Sequence, residues 1–547
     1  MTQIGALLNI YPGQSGEQID RSFGTMSSCG MTVCRIILDT AYGSEVLEQY
    51  DAAFEAAGRY KMRIVASLRG DRSHFPATVL RYKDEPSLMA WELEEGGDEV
   101  EAIVKANDMD HGIITNGVSI LPGIHFSGYE HRRYEIAVSV ACDKARSAAA
   151  GEPFWVTGLQ GGSNLYSGSR CFSPSAAEIT QWLWTSVASG AQGVFMQSVN
   201  TKKDGQGAGE MSLLNMQGGM TERSKAVQDV IASLNENAEL FENAVPVFSP
   251  VTMIYTKEST QAEAMMLRDD LPDDDYEVRK KGGSMKDAIA IYQVLMERGI
   301  RPEFREISEY PWDEDSKGKC VVFAGQLAVP VAYYPKIREF VKRGGKVIIE
   351  GLSFCYDEKM NSVFSSDFPL KDVFGGYVEE YNCHPGNYKL RIGKKRYWVH
   401  LFDGIIHNEA SGESLRVLRN KYGRGSVLWI PSVIGMGALR AGHKSKISRL
   451  FKRELEPIVR QMPISFKRRY TGIAVQMLET PDSYLTIVTS TKKHRRRVVF
   501  RTDMKVSRKL FYNEVNYKKG KARNHKVKVF PGQTVVAQWK KVKTEDR

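Results

Sequence analysis

The residues of this chain best placed to do chemistry are polar groups standing where short apolar runs end. Asp39 closes one run, and Glu94 and Glu95 follow another that ends in Trp91-Glu92-Leu93. Paired carboxyls are the equipment of glycoside cleavage. They stand about 5–5.5 Å apart when the reaction retains configuration, and further apart when a water must fit between them. Arg35 lies within a run, where an inward guanidinium serves either a substrate or a structural ion pair. His125 and His131 bracket Glu130 in a loop. A metal could use such a set, although lining a polar cleft is the commoner role. Asn164, Tyr166 and Arg170 follow the run Phe154–Thr157 and serve as hydroxyl-binding groups or as an ordinary solvated loop. Trp155 reads as core. Cys355 has no His or Glu partner at a recognisable spacing and reads as a buried structural thiol. No metal site and no cofactor is expected.

These groups need a frame, and the first 245 residues supply the pattern of one. Candidate strands are Ile4–Ile10, Thr32–Leu38, Met62–Leu68, Leu88–Leu93, Gly112–Asn116, a weak one near Ile124–Ser127, Phe154–Thr157 and Gly193–Ser198. Amphipathic stretches such as Ser44–Arg59, Arg133–Ala150 and Ser175–Ser189 separate them. The last opens with Ser175 and Glu178, a capping box, and ends at Gly190. Eight strands alternating with helices predict a (β/α)8 barrel, whose reactive groups stand at the carboxyl ends of the strands. A doubly wound sheet is the alternative, but no glycine-rich phosphate loop follows the first strand. Residues 246–460 read as a second α/β domain. Its strands are Val251–Tyr255, Glu303–Ile307, Cys320–Ala324, Lys346–Glu350 and Ser426–Pro431, with helices at Ser284–Arg298 and Pro335–Lys342. Residues 461–547 switch to period two, the mark of a small antiparallel β-domain resembling a sandwich. The acidic run Asp269–Asp275 reads as a solvated loop or helix end.

Composition agrees with a soluble globular protein: 42% apolar and 26% charged residues over 547 positions. No stretch is apolar and long enough to span a membrane. Met1–Leu8 carries neither a basic segment nor a long apolar one, so no secretory signal is expected. Seven cysteines at scattered spacings suit reduced thiols in the cytoplasm. The net charge of +10 is local, because Lys492–Arg547 holds 19 Lys and Arg against 4 Asp and Glu. Lys492–Arg497 reads as a hairpin turn between Tyr484–Thr489 and Val498–Thr502, with further basic groups at Lys518–Arg523 and Lys540–Lys543. This is a solvated positive face or a docking surface for a polyanion. Nucleic acid is the least suited partner, since no aromatic-interleaved motif accompanies the charge.

Three segments carry a family resemblance. Arg81–Leu93 looks like the approach to the fourth strand of clan A glycosidases. Gly151–Gly162 (GEPFWVTGLQGG), followed by Trp182–Gly193, is similar to their seventh-strand region. Ile337–Lys359 and Phe368–Tyr381 closely resemble the trimerisation domain of family 42 β-galactosidases, a flavodoxin-like fold related to glutamine amidotransferases. The resemblance implies a (β/α)8 barrel, a flavodoxin-like trimerisation domain and a small C-terminal β-domain. It also implies a homotrimer, a carbohydrate ligand and retaining, exo-acting β-galactosidase chemistry.

At the two catalytic positions the sequence departs from that family. The acid/base glutamate, five positions after the aromatic that Trp91 matches, falls on Gly96, with Glu95 where asparagine belongs. The nucleophile of a T-E-x-Q-x-G pattern falls on Gly158 of Thr157-Gly158-Leu159-Gln160-Gly161-Gly162. The eighth strand of relatives often ends in a tryptophan that floors the sugar, and here it reads Val194-Phe195-Met196-Gln197-Ser198-Val199. Glycine neither attacks an anomeric carbon nor moves a proton, so standard retaining hydrolysis is not expected. The alternative is an active glycosidase with Glu95 or Glu94 as acid and a non-standard second carboxylate, Asp39 or Glu130; Glu152 lies at the wrong end of its strand. Arg35, Asp39, Trp91, Glu130, Gln160 and Asn164 are the candidate sugar-binding residues.

Overall fold

The computed structural model describes residues 1–93, 97–126, 133–266, 277–363, 367–442, 445–504, 506–512 and 526–541. Glu94, Glu95, Gly96, Glu130, His131, the run Asp269–Asp275 and the segment Lys518–Arg523 lie outside the described residues.

Among the described residues eight parallel strand segments form the N-terminal barrel: β1 (Gln3–Leu8), β2 (Val33–Asp39), β3 (Arg63–Arg69), β4 (Leu88–Glu92), β5 (Gly112–Ile114), β6 (Gly117–Ile120), β7 (Trp155–Gln160) and β8 (Gly193–Gln197). Their order is β5-β4-β3-β2-β1-β8-β7-β6. Between β5 and β6 stand only Thr115 and Asn116. A parallel crossover needs about a dozen residues, so these two strands are successive halves of one extended run. Its first half pairs with β4 (Ala90↔Gly112) and its second with β7 (Gly117↔Trp155), and in this way it joins the two edges of the sheet. Over residues 124–126, the described part of the strand expected near Ile124–Ser127, there is no strand. Pro122, with φ already set for a first helical turn, starts a short helix over Pro122–His125 instead.

Seven longer helices wrap the barrel: α1 (Gly16–Ser28), α2 (Leu47–Arg59), α3 (Phe75–Tyr82), α4 (Gly97–Asn107), then, after the short α5 (Pro122–His125), α6 (Tyr134–Ala148), α7 (Ala176–Ala188) and α8 (Glu222–Glu236). The capping box expected at Ser175 and Glu178 is present. A brief helix α9 (Ala238–Glu242) ends the unit, and β9 (Val245–Val247) leaves it to pair with a strand of the C-terminal domain, Met477 opposite Val247.

The middle domain contains β10 (Val251–Tyr255), β11 (Glu303–Glu306), β12 (Cys320–Ala324) and β13 (Lys346–Glu350). A long hairpin of β14 (Gly376–Ile392) and β15 (Lys395–Asn408), extended by β16 (Ser414–Leu415), stands apart from that sheet and had no counterpart in the sequence reading. The chain then returns through β17 (Leu418–Tyr422) and β18 (Gly425–Ile430). Sheet order β11-β10-β12-β13-β18-β17 is the flavodoxin order with an antiparallel edge strand. Its principal helices are α10 (Lys257–Met266), α11 (Gly283–Met296), α12 (Tyr334–Arg343), α13 (Lys371–Phe374), α14 (Ile434–Arg440) and α15 (Ser445–Val459).

The C-terminal domain is two antiparallel sheets. One holds β19 (Ser465–Phe466), β22 (Arg496–Arg501) and β24 (Lys526–Val529). The other holds β9, β20 (Ile473–Glu479), β21 (Ser483–Ser490), β23 (Val506–Tyr512) and β25 (Thr534–Lys540). Lys492–Arg497 is therefore not a hairpin turn: β21 and β22 belong to different sheets, and the basic segment crosses between them. Alternation alone cannot distinguish a turn within one sheet from an arch between two.

One carboxylate ties the three parts together. Glu297, at the end of α11, is fully buried. It accepts Arg133 Nη1 of the barrel at 2.9 Å, and Arg469 of the C-terminal domain through Nε at 2.9 Å and Nη2 at 2.6 Å. The Gly472 amide donates to the same carboxyl at 3.1 Å. No helix among the described residues is long and apolar enough to cross a membrane.

Candidate functional site

Strand alternation sorts the barrel interior into layers. The lowest is apolar: Val33, Val65, Ala90, Ile114, Trp155 and Phe195 pack together, with Trp155 stacked on Phe195 at 5.7 Å. Trp155 is thus barrel core, as its sequence suggested. A Cβ on Gly193 would lie 2.0 Å from Trp155 Cζ3, so the ring requires glycine at the foot of β8. One step higher the lumen turns polar. Arg35 on β2 donates from Nε to Glu92 Oε2, and Ser67 on β3 donates to the same oxygen at 2.5 Å. Arg35 and Glu92 are each 3% exposed. The carboxylate also lies close to the start of β6, since a Cβ on Gly117 would stand 3.4 Å from Glu92 Oε1 and 2.9 Å from Thr157 Cγ2 of β7. Arg35 therefore serves an ion pair inside the barrel. Its partner Glu92 escaped the sequence reading, although alternation against the outward-facing Trp91 points it inward.

Above this pair lies the seventh-strand position of greatest interest. A Cβ on Gly158 would meet Ser119 Oγ at 2.9 Å and Gln197 Oε1 at 3.0 Å. The volume into which a side chain here would grow is bounded by a hydroxyl and an amide. The rim from β8 to β1 continues in neutral groups: Asn9 Nδ2 donates to Ser198 Oγ and to Asn200 O, both at 2.9 Å, and Asn200 Oδ1 accepts Asn9 N at 2.8 Å. Hydroxyls and amides of this kind bind sugar hydroxyls but supply no charged nucleophile.

The other sequence candidates have mostly structural work. Asp39 ends β2 and accepts the Ala41 amide at 3.0 Å, capping a turn of 3-10 helix. Trp91 is fully buried against the outer helices and donates to Asp108 Oδ2 at 2.8 Å, so it faces away from the lumen. Gln160 and Asn164 are also fully buried, and they build the loop after β7 rather than facing a ligand. Gln160 Oε1 accepts Gly123 N at 2.7 Å and its Nε2 donates to Asn164 Oδ1 at 3.1 Å. Asn164 Nδ2 in turn holds the carbonyls of Ser167 and Arg170 at 2.6 and 2.9 Å. Buried amides with such partners are costly to redirect.

Glu210, which the sequence did not single out, anchors the same loop. Its Oε1 accepts the amides of Leu165, Tyr166 and Ser167 at 2.7, 2.6 and 3.1 Å. Burial pushes its carboxyl up, but hydrogen bonds from Ser167, Tyr166 and Leu165 outweigh that and hold it below the usual value. The loop tip then presents Leu165 and a 97% exposed Tyr166 to solvent. Glu152 lines a cavity of about 670 Å³ at the foot of the barrel, away from the mouth. Burial pushes the Cys355 thiol up to about 12, which fits an inert structural cysteine. Among the described residues no group of three His, Cys, Asp or Glu side chains is placed to hold a metal ion.

The architecture has solved counterparts. A catalytic mutant of a family 42 β-galactosidase from G. stearothermophilus superposes with TM-score 0.76 at 12% identity, over 98% of this chain and 98% of that one. The β-galactosidase of Bacillus circulans sp. alkalophilus gives 0.73 at 12% identity, over 98% and 99%. That of the Antarctic haloarchaeon Halorubrum lacusprofundi gives 0.73 at 14%, again over 98% and 99%. No protein-family sequence model matches the chain, and no curated protein sequence does. Fold is thus shared along the full length at low sequence identity: the chain has the fold of family 42 β-galactosidases.

Proposed function

We propose that this chain, built on the family 42 β-galactosidase fold, holds a carbohydrate at the barrel mouth and does not carry out two-carboxylate retaining hydrolysis. The observation that carries the reading is Gly158, whose inward side meets Ser119 and Gln197 instead of an open socket for a nucleophile. The neutral rim of Asn9, Ser119, Gln197 and Asn200 and the exposed Tyr166 supply hydroxyl-binding groups and an aromatic face. The test pairs turnover of aryl β-galactosides with calorimetric titration of galactose and galacto-oligosaccharides. Saturable binding without turnover is expected. Turnover that disappears in Glu95→Gln or Glu94→Gln would establish the competing reading, a glycosidase with a displaced acid.

Two partners go with this reading. The middle domain, by its likeness to a trimerisation domain, assembles the chain into a homotrimer, measurable by sedimentation equilibrium. The basic face of the C-terminal domain docks on an acidic polysaccharide. Arg497 and Arg501 on β22 and Lys526 and Lys528 on β24 are all exposed, and Arg497 stands directly opposite Lys528. Facing like charges destabilise a sheet, and of these four only Arg501 has an ion pair with a described residue, Glu456 at 3.2 Å. Binding to polygalacturonate that weakens with salt and is lost in Arg497→Glu/Lys528→Glu supports this partner; equal binding to single-stranded DNA contradicts it.

A further inference from the structure

The middle domain contains a cavity of about 420 Å³ that the barrel chemistry leaves unused. It opens where the parallel strands β12, β13 and β18 end, and Gly325, Leu352 and Val433, just beyond those strands, line it. Open α/β sheets of this order hold ligands outside the carboxyl ends of their strands. The usual occupant is an anion seated on a helix N-terminus. Here that seat is taken. Glu263, 4% exposed, accepts the amides of Gly282 and Ser284 at the start of α11, at 2.8 and 2.7 Å.

The floor of the cavity is acidic as well. Asp287, fully buried, lines it and faces Glu350, which is also fully buried. Glu350 Oε1 accepts the amides of Ile434 and Gly435 at 2.7 and 2.8 Å, and Asp287 Oδ1 accepts that of Met436 at 2.7 Å. Asp287 Oδ2 takes no hydrogen-bond donor from the described residues other than the proton it can share with Glu350. Burial pushes both carboxyls above the usual range, and the neighbouring Asp287 pushes Glu350 well above it, so proton and charge belong to the pair rather than to either residue. Neither carboxyl forms an ion pair with a described residue. A buried carboxylate without a cation is costly, and Asp287 borders the cavity, where a cation would offset that cost. The walls suit an organic cation better than a hydrated metal ion. Tyr356, Tyr381 and Phe402 offer aromatic faces, and the lining is mainly apolar.

We propose that this cavity is a binding site for a small organic ammonium ion with an apolar body, seated with its charge toward Asp287 and its body among Tyr356, Tyr381 and Phe402. The ligand class follows from the chemistry of the walls: an anion would meet the carboxyls of Asp287 and Glu263, a neutral molecule would leave them without a cation, and Arg279, which also lines the cavity, is already paired with Glu277 at 3.0 Å. The site is separate from the barrel mouth and does not depend on the carbohydrate reading.

The experiment is calorimetric titration of the full chain with benzylammonium chloride, benzyl alcohol and sodium benzoate at one ionic strength. Benzylammonium is expected to bind with one site per chain, at least about tenfold tighter than benzyl alcohol, and benzoate not to bind. Leu352→Trp, which fills the cavity and leaves the carboxyls in place, is expected to abolish binding. Asp287→Asn is expected to weaken it by about tenfold or more. Leu352→Trp keeps the test decisive where Asp287→Asn compromises folding. Equal affinity for all three probes, absence of benzylammonium binding, or binding that survives Leu352→Trp would each overturn the proposal.

Discussion

Replacing Glu297 should do more damage than any surface ion pair in the molecule. The carboxylate sits with Glu135, Arg133 and Arg469 in a cluster of two acids and two arginines. Glu297→Gln leaves Arg133 with Glu135 but removes the charged oxygen that accepts both Nε and Nη2 of Arg469, whose side chain is only 16% exposed. Breaking a buried pair by removing one member costs about 3–5 kcal/mol, because the remaining charge stays desolvated. The glutamine amide can still accept the Gly472 amide, and some water reaches Arg469, so the lower end, about 3 kcal/mol, is expected for Gln. Glu297→Ala also loses packing and belongs near 5 kcal/mol. The exposed pair Arg72–Glu99 is the control, and Glu99→Gln should cost under about 1 kcal/mol. The assay is calorimetric unfolding of the full chain together with limited proteolysis. Glu297 joins three domains, so its loss is expected to split one transition into separate ones and to release the C-terminal domain first. Arg469→Met in the Glu297→Gln background should recover part of the loss, since an apolar replacement of a whole buried pair is often neutral. If Glu297→Gln melts like Glu99→Gln, the keystone reasoning is wrong.

Two further outcomes test the packing around the proposed sites. Glu350 is held above its ordinary value of 4.5 by burial and by Asp287, so the folded chain keeps a proton that the unfolded chain releases. That contribution is complete below about pH 4.5 and is lost as pH rises through the folded value; denaturant titrations from about pH 5 to 7 should therefore fall with a slope of up to about 1.4 kcal/mol per pH unit that Glu350→Gln removes, and parallel slopes would contradict this. Gly193→Ala drives a methyl into Trp155, at 2.0 Å from Cζ3, and should cost about 2–3 kcal/mol or more. In a Trp155→Leu background the same substitution should be nearly free, and an equal cost in both backgrounds would show that the ring is not the obstacle.

Much of the frame could be read from the sequence because it rests on periodicity. Three middle-domain strands, Val251–Tyr255, Cys320–Ala324 and Lys346–Glu350, stand where their apolar runs placed them, as does the helix capped by Ser175. The sixth barrel strand was missed because Gly117–Ile120 continues β5 after only two residues, and nothing in its composition separates the two. The link between β21 and β22 was misread because pairing partners are decided by packing between sheets. The site was less legible than the frame. Trp91, Gln160 and Asn164 have the residue types of sugar binders, and only their three-dimensional partners assign them to the core and to a loop. Glu92 was visible in principle as the inward neighbour of an outward tryptophan. Ser119 and Gln197 around Gly158 were not, since they come from strands 39 residues away on either side in sequence.

The central claim is that Gly158 leaves the barrel without a nucleophile, and trapping tests it most directly. The full chain is incubated with an activated 2-deoxy-2-fluoro-β-galactoside, which arrests retaining enzymes as covalent glycosyl adducts, and its intact mass is then measured. The expected spectrum is that of the unmodified chain, while galactose binding remains measurable by calorimetry. A mass increase of one fluorogalactosyl group per chain, mapped to any carboxylate of the barrel, would contradict the account.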